Sequence, residues 1–89
     1  MIKLTLIGGG SSYTPEFIEG LLERHDRFPV EELWLLDVEA GQDKQNIIFD
    51  LANRMIKKSG LDIKLFATLD KIKAIADADY VCTQFRVDL

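Results

Sequence analysis

The chain has 89 residues, 47% of them hydrophobic and 29% charged, which leaves room for one small folded domain and argues against disorder. Eleven Lys and Arg against 15 Asp and Glu give a formal net charge of −4, so there is no basic face for nucleic acid. A single cysteine allows no internal disulfide, and the apolar start, interrupted by Lys3, is too short for a signal-peptide core or a membrane span; the expectation is a cytosolic protein.

Residues 2–7 (Ile-Lys-Leu-Thr-Leu-Ile) predict a strand that stops at three glycines. Thr14-Pro15-Glu16 then reads as a helix start, with a threonine N-cap, a proline at the first helical position and an acid in the first turn. Phe17, Ile18, Leu21 and Leu22 place one apolar stripe on that helix, which is expected to end around residues 26–29. Leu33-Trp34-Leu35-Leu36 is a continuous apolar run ending in Asp37, as in strands covered on both faces. A longer helix follows, with Ile47, Ile48, Leu51, Ala52, Met55 and Ile56 at helical spacing and Gly60 as its stop. Residues 62–68 predict a third strand, 70–76 a short helix and 80–85 a fourth strand. The order β-α-β-α-β-α-β with right-handed crossovers predicts an α/β fold: half of a Rossmann-like parallel sheet, with strand order 3-2-1-4.

The chemistry concentrates at Gly8-Gly9-Gly10-Ser11-Ser12. A strand that stops at glycines before a helix brings backbone N–H groups to a helix N-terminus, which favours an anion such as a pyrophosphate. The glycines permit a tight turn and close approach, and the serines add hydroxyl donors. Tyr13 stands where the usual Gly-x-Gly-x-x-Gly pattern has its last glycine, and a plain tight turn is the competing reading. Asp37 closes the second strand, where an acid accepts hydrogen bonds from the adenosine ribose and repels a 2′-phosphate, favouring NAD over NADP; Glu39 can share or take that role, and a solvated strand-end acid is the alternative.

Arg86, just past the fourth strand, falls at the carboxyl edge of the sheet, where its guanidinium suits a phosphate or hydroxyl-rich substrate or, equally, a surface ion pair. His25 reads as a helix C-terminal residue, Cys82 as a buried reduced thiol, Asp77 and Asp79 as boundary residues, and Trp34 and Phe85 as core. No metal-ligand spacing is present.

The string Gly8-Gly9-Gly10-Ser11-Ser12-Tyr13-Thr14-Pro15-Glu16 resembles the start of the NAD-dependent glycosidases of glycoside hydrolase family 4. Leu35-Leu36-Asp37 and Ala78-Asp79-Tyr80-Val81 running into Gln84-Phe85-Arg86-Val87 also resemble that family, particularly its 6-phospho-β-glucosidases. The resemblance implies an enzyme that needs NAD and a divalent metal, commonly manganese, and cleaves 6-phosphoglycosides by oxidation, elimination, water addition and reduction; such enzymes stand outside the two-carboxylate scheme of most glycosidases. It implies cofactor contacts at Gly8, Gly9, Gly10, Ser11, Ser12, Tyr13 and Asp37, and substrate binding at Arg86, which matches the family's Gln-Phe-Arg motif. The family's metal-binding cysteine and histidine and its tyrosine base come from later segments, so Cys82, His25 and Tyr13 do not inherit those roles.

The expectation is therefore the N-terminal part of a longer, homo-oligomeric enzyme, inactive by itself, because half a Rossmann sheet exposes an apolar edge and face. Within the family, an enzyme for α-linked 6-phosphoglycosides or an α-galactosidase is the alternative. From other classes, a nucleotide-binding or redox-sensing module without chemistry, or a piece of an NAD-dependent dehydrogenase, competes.

Overall fold

The structure, a computed structural model, describes residues 2–8, 14–37 and 42–83. They form β1 (Ile2–Ile7), α1 (Thr14–Glu23), β2 (Val30–Leu36), α2 (Gln42–Ser59), β3 (Lys64–Thr68), α3 (Lys71–Ile75) and β4 (Tyr80–Thr83). The four strands make one parallel sheet in the order β3-β2-β1-β4, the expected Rossmann half.

Strand periodicity decides what each face carries. Leu4 lies beside Leu33 and Leu33 beside Leu65, and Leu6 beside Leu35 and Leu35 beside Ala67, so one face is a continuous apolar layer. Ile18 of α1 and Ala52 of α2 join Leu4, Leu6, Leu33 and Leu35 in the core, with Phe17, Leu21, Leu22 and Met55 packed against it. At about 1.5–3 kcal/mol for each large side chain removed from water, this layer is the main source of stability. Its cover is set by connectivity: α1 and α2 belong to crossovers running the same way along the sheet, whereas the chain turns back after β3 and lays α3 on the opposite face.

That second face is more polar. Lys3 and Thr5 of β1 share it with Trp34 and Phe66, which stack with ring centroids 4.5 Å apart. Trp34 is thus only half-buried rather than core: its indole N–H donates to Glu32 Oε1 at 2.9 Å and its ring lies under the Lys3 ammonium, 4.4 Å from the centroid. A polar ring edge that finds partners at the sheet surface accounts for the difference.

Five further expectations shift. Helix α1 includes Thr14, buried, as its first residue, and it closes at Glu23, after which the N–H groups of Arg27 and Phe28 both bond to the Arg24 carbonyl in a turn. Ile47, placed on the apolar stripe of α2, is 68% exposed because its neighbour Ile48 takes the inward position. β3 starts at Lys64, two residues late, and Cys82 is half-buried against the core rather than enclosed. The stop at Gly60 is as expected, with φ +75° and its N–H bonded to the Lys57 carbonyl at 3.2 Å. The residues predicted to extend β4, Gln84 and Phe85, lie outside the described residues.

Candidate nucleotide-binding site

The site is built at the carboxyl edge of the sheet, next to the point where the strand order reverses between β1 and β4. Parallel register brings Ile7, Leu36 and Thr68 side by side, so the residues that follow them emerge together. Gly8 leaves β1 at φ +85°, a conformation that an L side chain adopts only under strain, and its N–H donates to the Leu36 carbonyl at 2.7 Å. One residue beyond that carbonyl, Asp37 donates its N–H to the Thr68 carbonyl at 3.3 Å. The start of the glycine turn and the strand-end acid, far apart in sequence, are therefore fixed next to one another. The same Thr68 carbonyl accepts from Nε2 of Gln45, a buried residue of α2 whose Oε1 has no hydrogen-bond partner among the described residues.

A cleft of about 880 Å³ opens along this edge, within the range typical of small-molecule sites. Ile7, Gly8, Leu36 and Asp37 form one side. The other is Leu69 with Lys71 and Ile75 of α3. Leu69 and Ile75, 41% and 39% exposed, face it as apolar walls opposite a carboxylate and a backbone turn, which suits a ligand with a flat apolar part and a hydroxylated part. Sequence reading did not single out Leu69, Lys71 or Ile75. The available signal was an apolar residue, Leu69, in the turn between a strand end and a capped helix, where burial gives it no purpose.

Of the expected cofactor residues, Gly8 and Asp37 are brought together. Gly9, Gly10, Ser11, Ser12, Tyr13, Glu39 and Arg86 lie outside the described residues. His25 is structural: its Nε2 lies 3.2 Å from the Val30 carbonyl at the turn into β2. Asp79 is structural too, since its carboxylate accepts from the Lys3 N–H at 2.8 Å and its own N–H donates to the Lys3 carbonyl at 2.9 Å, joining β4 to the start of β1. Among the described residues, no three His, Cys, Asp or Glu cluster as metal ligands, and no helix is long and apolar enough to cross a membrane.

The profile for family 4 glycosyl hydrolases matches residues 3–89. The chain belongs to glycosyl hydrolase family 4. It is 54% identical over 88 residues to a probable 6-phospho-β-glucosidase of Bacillus subtilis, covering 99% of this chain and 20% of that protein. To the 6-phospho-β-glucosidase of Escherichia coli it is 56% identical over 86 residues, 97% of this chain and 19% of that one. A solved 6-phospho-β-glucosidase of Thermotoga maritima, with manganese, NAD+ and glucose-6-phosphate, superposes with a TM-score of 0.83 at 35% identity, covering 96% of this chain and 20% of the other. The family 4 chain thus spans about a fifth of the length of the relatives it matches.

Proposed function

We propose that this chain is the NAD-binding N-terminal segment of a 6-phospho-β-glucosidase that hydrolyses 6-phospho-β-glucosides with NAD and a divalent metal, manganese in the first instance. The observation that carries the reading is more than half identity, over nearly the whole chain, with two 6-phospho-β-glucosidases, together with a site whose geometry suits the cofactor. The strained turn at Gly8 and the carboxylate at Asp37, held side by side on a cleft with apolar walls, match the needs of a pyrophosphate, a ribose and an adenine in that order. Such identity favours a β-linked substrate over an α-linked one, and an enzyme over a module without chemistry.

In this reading the backbone from Gly8 through Gly9 and Gly10 lets the pyrophosphate approach, and Ser11, Ser12 and Tyr13 complete the turn around it. Asp37 orients the adenosine ribose and repels a 2′-phosphate. Arg86, of the Gln84-Phe85-Arg86 motif, binds the anionic substrate. NAD supplies a hydride acceptor that returns its hydride at the end of the cycle, so the net reaction is hydrolysis. The metal ligands and the base belong to segments outside this chain. A homo-oligomer and a cytoplasmic location complete the proposal, the latter because a sugar phosphate and NAD are too highly charged to cross a bilayer unaided.

The test is the complete enzyme assayed with a 6-phospho-β-glucoside in deuterated water. Glucose-6-phosphate released only with both NAD and manganese present, and carrying deuterium at carbon 2, is the expected result; release without NAD contradicts the proposal.

A further inference from the structure

Helix α3 has five residues, whereas isolated helices shorter than about 12–15 residues are marginal in water. Its place therefore depends on what holds its ends. At the start, Asp70 Oδ1 accepts from the N–H groups of Ile72 at 2.9 Å and Lys73 at 3.3 Å. At the end, the grip comes from β1. Lys3 Nζ donates to the carbonyls of Lys73, at 3.0 Å, and Ala76, and Thr5 Oγ1 donates to that of Ala74. The Ile72 and Ile75 carbonyls take the N–H groups of Ala76 and Ala78. Every carbonyl from residue 72 to 76 thus has a donor, and two side chains of one strand supply three of them. The Lys3 ammonium is itself kept in place over Trp34, which is stacked on Phe66 and bonded to Glu32.

The same short helix lines the cleft through Lys71 and Ile75. Lys3 sits four residues before Ile7, or about 13 Å along a strand rising about 3.3 Å per residue, so it is out of reach of a ligand there. We propose that Lys3 is a positioning residue for the cofactor. By gripping the last turn of α3 from the far edge of the sheet, it sets how far Ile75 and Lys71 stand from Gly8 and Asp37, and so the width of the cleft that takes the adenosine end of NAD. The inference rests on the NAD reading above.

Calorimetric NAD titration of the complete enzyme tests it. Lys3→Met, which keeps the stem over Trp34 and loses the donors, is expected to raise the NAD Kd about fivefold or more at unchanged stoichiometry, roughly 1 kcal/mol. Thr5→Val is expected to move it the same way. Lys64→Met, which removes a charge from the same sheet face but none of the hydrogen bonds to α3 described above, is expected to leave it unchanged. An unchanged Kd in Lys3→Met, whether at full stoichiometry or with the reduced stoichiometry that partial unfolding produces, overturns the inference while the NAD reading stands. An equal rise in Lys64→Met overturns it as well, by making the effect one of charge. Absence of NAD binding in the unsubstituted enzyme removes the reading and the inference together.

Discussion

The N–H of Gly8 donates to the carbonyl of Leu36 at 2.7 Å, which fastens the turn leaving the first strand to the last residue of the second, one position before Asp37. Adjacency of turn and acid is thus a property of the sheet register, present before any ligand arrives. Gly8 holds φ +85° there, so Gly8→Ala is expected to cost about 1–2 kcal/mol of stability through the left-handed backbone alone. NAD affinity in the same variant should fall at least tenfold, because a methyl group occupies space that the pyrophosphate needs. Thermal unfolding and calorimetry on one preparation read both effects.

Asp37 should set cofactor choice. Asp37→Ala is expected to weaken NAD binding about tenfold, the loss of one charge-assisted hydrogen bond, and to narrow the preference over NADP by removing the repulsion of a 2′-phosphate. Titration with each cofactor checks it; an unaltered NAD to NADP ratio would assign the discrimination elsewhere, Glu39 first.

Ala74 has no accessible surface and faces the sheet where Thr5 bonds its carbonyl. Ala74→Leu is expected to cost about 1–3 kcal/mol by overpacking and to lift the helix from the sheet. Faster amide exchange at Ile72–Ala76 than in the core strands would be its signature, and uniform exchange would count against a local effect.

The inward and outward positions of α2 can be told apart by truncation. Ile48, 8% exposed, is expected to lose about 2–4 kcal/mol as alanine, and Ile47, 68% exposed, to change stability by less than about 0.5 kcal/mol. Urea denaturation of the 89-residue chain distinguishes them.

Much of this arrangement is legible in the sequence because each signal has one physical meaning. Hydrophobic runs ending at Gly8 and Asp37 mark strands, Gly60 needs its positive φ, and strand-helix alternation with right-handed crossovers leaves little choice of strand order. Ile47 misled because two adjacent isoleucines fit one stripe equally well, and only the rotation of α2 about its axis chooses between them. Trp34 misled because an apolar run does not say which face lies under a long helix and which under a short one. The wall formed by Leu69, Lys71 and Ile75 has no motif at all; it arises from where the last crossover sets down α3, a tertiary fact.

In the proposed function, NAD seats on the edge that joins Gly8 to Asp37. Amide chemical shifts of the isotopically labelled chain, followed through an NAD titration, report on that seat residue by residue. Saturable shifts are expected at Gly8, Asp37, Leu69, Lys71 and Ile75, with Leu61, Asp62 and Lys64 at the opposite edge unmoved. Shifts confined to that opposite edge, or none at millimolar NAD, would contradict it.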